Sequence, residues 1–364
     1  MSLTLLKIFW YLLFLCSIFG STFLNAESWE RSAGSLLTNF SNMYNPCVVE
    51  VDEEYRYKMF FFGWAAKVKN PGWPGCDAIF HARSKDLIHW EVYSKNQQWD
   101  KTMDPSQWVP ILYASDKWYE QWHVGDPSVV YKGGYYHMAY SATSKHFEKV
   151  VGYPATMVQC IMSARSKDGI HWEKSKKPLL INSEDSIPPK PNPERIGDFH
   201  RPSLRWDEGK WQLWFDYWIP GKGVCMGYAE SKGSILDSNS FKIMHNLKSP
   251  QLTSWPNPEV IKIGEQYHSF SDAPGYPIKP TDDKWVRRQI REAISEDGIH
   301  WKKLDHIPPD SDAEALHVPQ AFMTEIDQQK WLYLFYATQI GSSKNDGKYH
   351  FRYDRIRSMR RLIK

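Results

Sequence analysis

The chain has 364 residues, enough for one large domain or two ordinary ones, and its 45 basic and 42 acidic residues nearly cancel to a net charge of +3. That balance excludes the basic footprint of a nucleic-acid binder and gives no sign of a strongly anionic partner. The outlying figure is aromatic content: 15%, with 18 Trp and 20 Tyr, side chains that suit strands, bury large areas and favour an all-β core.

Met1 to Lys7 carries one positive charge, Ile8 to Gly20 is an uninterrupted run without charge, and small and polar residues follow up to Asn25-Ala26. This layout predicts a signal peptide over residues 1–26, with Leu24 larger than the small residue usual near a cleavage site. An uncleaved anchor is the alternative, but the apolar run is shorter than the ~20 residues of a spanning helix. The expectation is a secreted or periplasmic protein with residues 27–364 as one domain and no stable membrane span after signal removal. Cys47, Cys76, Cys160 and Cys225 remain in that domain. They show no zinc spacing, and most are expected as free, buried thiols, with a Cys47–Cys76 bridge left open. Cys160 and Cys225 each lie six residues before a repeated serine, which predicts equivalent buried strand positions.

From Asn45 onward a unit recurs five times. Its first part is a residue, a proline and a short apolar strand: Asn45-Pro46-Cys47, Asp126-Pro127-Ser128, Arg201-Pro202-Ser203, Asn257-Pro258-Glu259 and Val318-Pro319-Gln320. The second part is an aromatic strand after a polar turn, as in Tyr135-Tyr136-His137-Met138-Ala139-Tyr140 behind Gly133-Gly134. The third is a strand ending in serine, a tight turn and a tryptophan. It runs Ser84-Lys85-Asp86-Leu87-Ile88-His89-Trp90, then Ser166 to Trp172, then Ser295 to Trp301, with a degenerate copy from Ala229 to Phe241. Ser and Asp in such a turn cap backbone N–H groups, and the Trp packs between units, so His89, His171 and His300 are assigned to packing. Short strands repeating in this way predict an all-β, five-bladed β-propeller with four-stranded antiparallel blades. Val92 to His123 and the proline-rich Lys176 to Gly197 are expected as rim loops. The basic end, Arg352 to Lys364, is left as a solvated tail or a closing strand.

These motifs resemble those of the five-bladed propeller glycoside hydrolases. That superfamily includes arabinanases and β-xylosidases, invertases and levansucrases, mannoside phosphorylases and anhydro-galactosidases. The resemblance spans about residues 40 to 355 and implies an active site where the innermost strands converge, with two carboxyl groups flanking a glycosidic bond. Asp126 matches the Asp-Pro motif of the second blade. Glu259 comes from the fourth blade, where the arabinanase-like members place a general acid. Asn45 and Arg201 stand where those members carry aspartates, and Asp198, three residues before Arg201, is a substitute. Asn-Pro in the first blade and a basic third blade are similar to the mannoside phosphorylases. His317 occupies the place of the histidine acid that the anhydro-galactosidases can use.

The expected reading is a secreted glycoside hydrolase. Asp126 and Glu259 are its acid and base (or nucleophile), and Asp198 orients them. Asn45, Trp64, His200, Arg201, Asn257 and His317 are expected to contact the carbohydrate. Each has a plainer role beside this one: Asp126 could cap a strand entry, Glu259 could point away from the axis, and Trp64 could fill core. A phosphorylase of the same fold and a propeller that binds carbohydrate without cleaving it are the alternatives. No cofactor is expected. A calcium ion occurs in the channel of some resembled enzymes, but no ligand cluster in the sequence predicts one. Oligomeric state is not legible.

Overall fold

The computed structural model describes residues 29–40, 42–63, 75–150, 155–182, 194, 196–250, 252–273, 288–309, 314–340 and 354–363. The predicted leader, Trp64 and the proline run at 188–193 lie outside the described residues.

Five antiparallel sheets form the ring. From the axis outward, blade I is Tyr44–Glu50, Tyr57–Gly63, Ala78–Ser84 and Trp90–Ser94, and blade II is Val124–Lys132, Tyr135–Thr143, Gln159–Ser166 and Glu173–Lys174. Blade III is Phe199–Asp207, Lys210–Ile219, Gly223–Ser231 and Lys242–Ile243, and blade IV is Glu259–Ile263, Gln266–Ala273, Gln289–Ser295 and Lys302–Ile307. Blade V takes three strands from the C-terminal part, Glu314–Ile326, Gln329–Ile340 and Arg355–Leu362, and its outermost strand, Glu30–Arg31, from the N-terminal part. The ring is thus closed by pairing the two ends of the chain. The basic C-terminal segment is the closing strand: Arg360 meets Glu30 at 2.9 Å, and Arg361 meets Glu292 of blade IV at 2.7 Å.

The alternation of the second strands sends side chains to both blade faces, and both are buried. In Tyr57–Gly63, Met59 and Phe61 join Phe322 and Phe335 of blade V, while Phe60 and Phe62 join Val129 and Tyr136 of blade II. In Lys210–Ile219, Leu213 and Phe215 face blade II, and Trp214 faces blade IV. The hydrophobic interior is therefore five slabs between blades, which is why the aromatic content is so high.

The turn motif behaves as its sequence predicts. Ser166 Oγ accepts the Gly169 N–H, Asp168 Oδ1 accepts those of Ile170 and His171, and the pattern repeats at Ser84 and Ser295. His89, His171 and His300 are exposed and lean on the aspartate of their own turn. One expectation changes. The segment after Trp90 is partly strand: Gln98–Asp100 and Leu112–Tyr113 extend blade I, because buried Trp108, bonded to Asp100, pins the insertion onto the sheet. The four cysteines are free, as expected for most of them, and the bridge left open between Cys47 and Cys76 does not form: Cys47 faces blade II, where its Sγ accepts the Val129 N–H, and Cys76 lies against Asp77. Cys160 and Cys225 occupy third strands in neighbouring blades and are fully buried.

Candidate functional site

The residue before each repeated proline adopts the left-handed backbone region: Asn45, Asp126, Arg201, Asn257 and Val318 have φ of 50°, 48°, 50°, 49° and 47°. In blades I, II, III and V the pairing register slips at this point, so the proline marks a bulge inside the inner strand and not its first residue. The inner strand's second edge faces the axis, so the missing proline N–H breaks no ladder. A neighbouring blade holds the bulge. The N–H of Arg201 is accepted by Ser141, that of Asn257 by Asp216, and that of Val318 by Asp272, each on the second strand of the preceding blade. Five re-aimed residues are thereby brought to one end of the axis.

Asp126 is the centre of this end. It is 2% exposed, and one of its oxygens lies 3.5 Å from His123 Nε2 and 3.4 Å from His200 Nε2. These three atoms are buried and none has a hydrogen-bond partner. His123 Nδ1 is held by Asp77 at 2.7 Å, which turns Nε2 toward Asp126. Burial disfavours charge on His123, but the carboxylates of Asp126 and Asp77 outweigh it and raise its pKa to about 9. Burial dominates at His200 and lowers it to about 3. Asp126 is held below the usual carboxylate range: burial opposes ionisation, and the two imidazoles and Arg201 overcome it.

The adjoining wall is a second polar cluster. Asp272, fully buried, accepts from Val318 N–H, Arg288 at 2.8 Å, His317 at 2.7 Å and Asn257 at 2.5 Å. Burial would raise its carboxyl, yet His317 and Arg288 bring it to about 2. His317 is lowered to about 4 by burial and by Arg288, and its ring meets Tyr44 edge-on at 5.1 Å. Arg201 bridges the clusters, 3.4 Å from Asp216 and electrostatically coupled to Asp126 and His317. Burial lifts Asp216 to about 6.

Of the residues singled out from sequence, Asp126, His200 and Arg201 come together here, with Asn257 and His317 in the adjoining cluster. Asn45 donates to the Pro127 carbonyl at 2.8 Å and ties blade I to blade II. Asp198 accepts the Gln159 N–H at 2.9 Å, between blades, with its carboxyl raised by burial to about 7. Glu259 is engaged elsewhere. It occupies the same repeat position as Cys47, Ser128 and Ser203, whose side chains each accept an N–H of the next blade, and it reaches Ser203 Oγ at 3.0 Å and Ala321 N at 3.4 Å. Burial raises its carboxyl to about 8. His123, Asp77, Asp216, Asp272 and Arg288 were not singled out. His123-x-x-Asp126 carried a signal, two ligand types at a bulge, whereas Asp77 and Arg288 reach the site only through folding.

His123, Asp126 and His200 are also the group that could hold a metal ion, their donor atoms lying within 4.8 Å of one another. The sequence showed no such cluster, because its members come from two blades. Two imidazoles and one carboxylate, with a further carboxylate behind one ring, suit a divalent transition metal.

No family model matches the chain, and no curated protein matches it. Among solved structures it is similar to a family 117 glycoside hydrolase of Zobellia galactanivorans, at 13% identity and a TM-score of 0.55, over 92% of this chain and 90% of that one. It is similar to an N-acetylgalactosamine deacetylase from F. plautii in complex with blood group B trisaccharide, at 12% identity and a TM-score of 0.56, over 92% and 96%. A xylan β-1,4-xylosidase of Bacillus halodurans aligns at 13% identity and a TM-score of 0.52, over 90% of this chain and 54% of that one. The fold is that of the five-bladed propeller glycoside hydrolases.

Proposed function

We propose that this protein is an exported carbohydrate-active hydrolase that removes an acyl substituent from a sugar, with a divalent cation held by His123, Asp126 and His200. One observation carries the reading: three buried ligand atoms converge on one point, with no contact among them shorter than 3.4 Å and no well-formed hydrogen bond to any of them. Buried polar atoms left unpaired are costly, and an ion is the group that would satisfy all three. When bound, the ion would supply Lewis acidity and a water of lowered pKa. Asp77 orients His123, and Arg201 carries a positive charge beside the centre, suited to a developing oxyanion or an anionic part of the substrate. Asn257 and His317, fixed by Asp272, form the sugar-facing wall. The deacetylase among the similar structures supports an acyl substrate, and the predicted leader supports action outside the cell.

A second reading, cleavage of a glycosidic bond by carboxyl groups alone, is favoured by the opposite displacement of Asp126 and Asp216, which share Arg201: one is held ionised and the other is raised to about 6. One experiment separates the two. The purified protein is assayed on acetylated and unacetylated glycans and on aryl glycosides, before and after chelation, beside Asp126→Asn and His200→Ala. Acetate release that is lost on chelation, restored by zinc or manganese and absent from both variants supports the first reading. Glycoside cleavage indifferent to chelation overturns it in favour of the second.

A further inference from the structure

The other end of the axis holds a separate cavity of about 290 Å³, walled by the inner strands of all five blades. Four residues beyond the bulge, blades I, II, IV and V carry Val49, Val130, Ile261 and Phe322, and blade III alone carries a charged residue, Arg205. All five line the cavity. Arg205 makes no hydrogen bond or ion pair among the described residues, and its Nε is buried without a partner. The carboxyl groups around it are engaged by others. Glu50 is bonded by Arg56 and Thr324, and Asp207 by Lys262 at 2.8 Å. Glu259 is bonded by Ser203 and Ala321, and burial raises its carboxyl. The partly buried guanidinium thus feels Glu259 and Asp207 only through space, with no hydrogen bond to either, and its unpaired Nε–H is left for an anion in the channel to complete.

We infer that this cavity is an anion site in which Arg205 holds a small monoanion, a halide or a carboxylate. The guanidinium offers Nε–H and its terminal N–H groups in a fork suited to a carboxylate, and the apolar wall makes the attraction stronger than at a surface. The anion would act as a hub for the ring, since the cavity touches every blade. The site is independent of the proposed metal centre: it uses residues from the other end of the inner strands.

The test uses bromide as the probe. Crystals grown without halide are soaked in bromide and examined for anomalous scattering, and thermal unfolding is followed against bromide at constant ionic strength for the wild type, Arg205→Met and Arg205→Lys. The expected result is an anomalous peak beside the Arg205 guanidinium. A saturable rise in Tm should appear in the wild type, shrink in Arg205→Lys and vanish in Arg205→Met. Absence of the peak, or an equal rise in wild type and Arg205→Met, overturns the proposal. Should Arg205→Met fail to fold, the peak and the Arg205→Lys titration still decide. Neither readout depends on catalysis, so the anion site and the hydrolase reading can fail separately.

Discussion

Asp77 Oδ2 lies 2.7 Å from Nδ1 of His123, and both residues are largely buried, so this imidazole presents Nε2 to Asp126. Partners of this kind set ring orientation and ligand basicity and typically change metal affinity roughly 10- to 100-fold. Asp77→Asn is therefore expected to weaken zinc binding by a factor in that range while the fold persists. Competition against a fluorescent chelator measures it, and unchanged affinity would remove Asp77 from the site.

Asp272 gathers four donors from blades IV and V in a fully buried position. Removing one member of a buried charged network leaves the rest uncompensated, at a cost of about 3–5 kcal/mol. Asp272→Ala should lower the urea unfolding midpoint accordingly, and Asp272→Asn should lower it less. A change within about 0.5 kcal/mol, the size of a surface substitution's effect, would mean the cluster is open to water.

Glu259 ties stability to pH. Its carboxyl is raised from 4.5 to about 8 by burial, so the folded chain keeps a proton that the unfolded chain releases. The associated stability is fully present below about 4.5 and is lost as pH rises through about 8. Glu259→Gln should flatten the fall in unfolding midpoint between pH 5 and pH 8.5 and leave acetate release intact, buffer pH values here being about those that bracket the transition. Loss of activity without a change in the pH profile would instead favour Glu259 as an acid.

Gly298 combines φ of 75° with a Cβ position 2.9 Å from Trp214 Cζ2, whereas Gly209, at φ of 77°, has open space around it. A left-handed alanine costs roughly 1–2 kcal/mol. Gly209→Ala should show that backbone term alone, and Gly298→Ala should exceed it, because Trp214 also donates to the Gly298 carbonyl and must shift. Equal midpoints for the two variants would show that the blade III–IV interface yields freely.

Most of the fold follows from local rules. Proline before an apolar run, glycine turns, alternating aromatics and a serine–aspartate cap are each settled within a few residues, and five repetitions leave a propeller as the arrangement that buries both faces of every sheet. Asp126 and Arg201 were legible as candidates because the residue before the repeated proline is marked in every blade, and His200 because it adjoins Arg201. The pairing of Glu30–Arg31 with Arg355–Leu362 was half legible, since a basic segment can be either a tail or a strand until a partner edge exists. What only the tertiary structure decided is which polar groups meet. Asp77 from blade I, His123 and Asp126 from blade II and His200 from blade III converge because ring closure brings together bulges whose hydrogen bonds are completed by the neighbouring blade. The same closure places Glu259 in a structural ring and turns Arg205 to the channel. Burial and charge then set the state of each group, and both depend on neighbours far away in the chain.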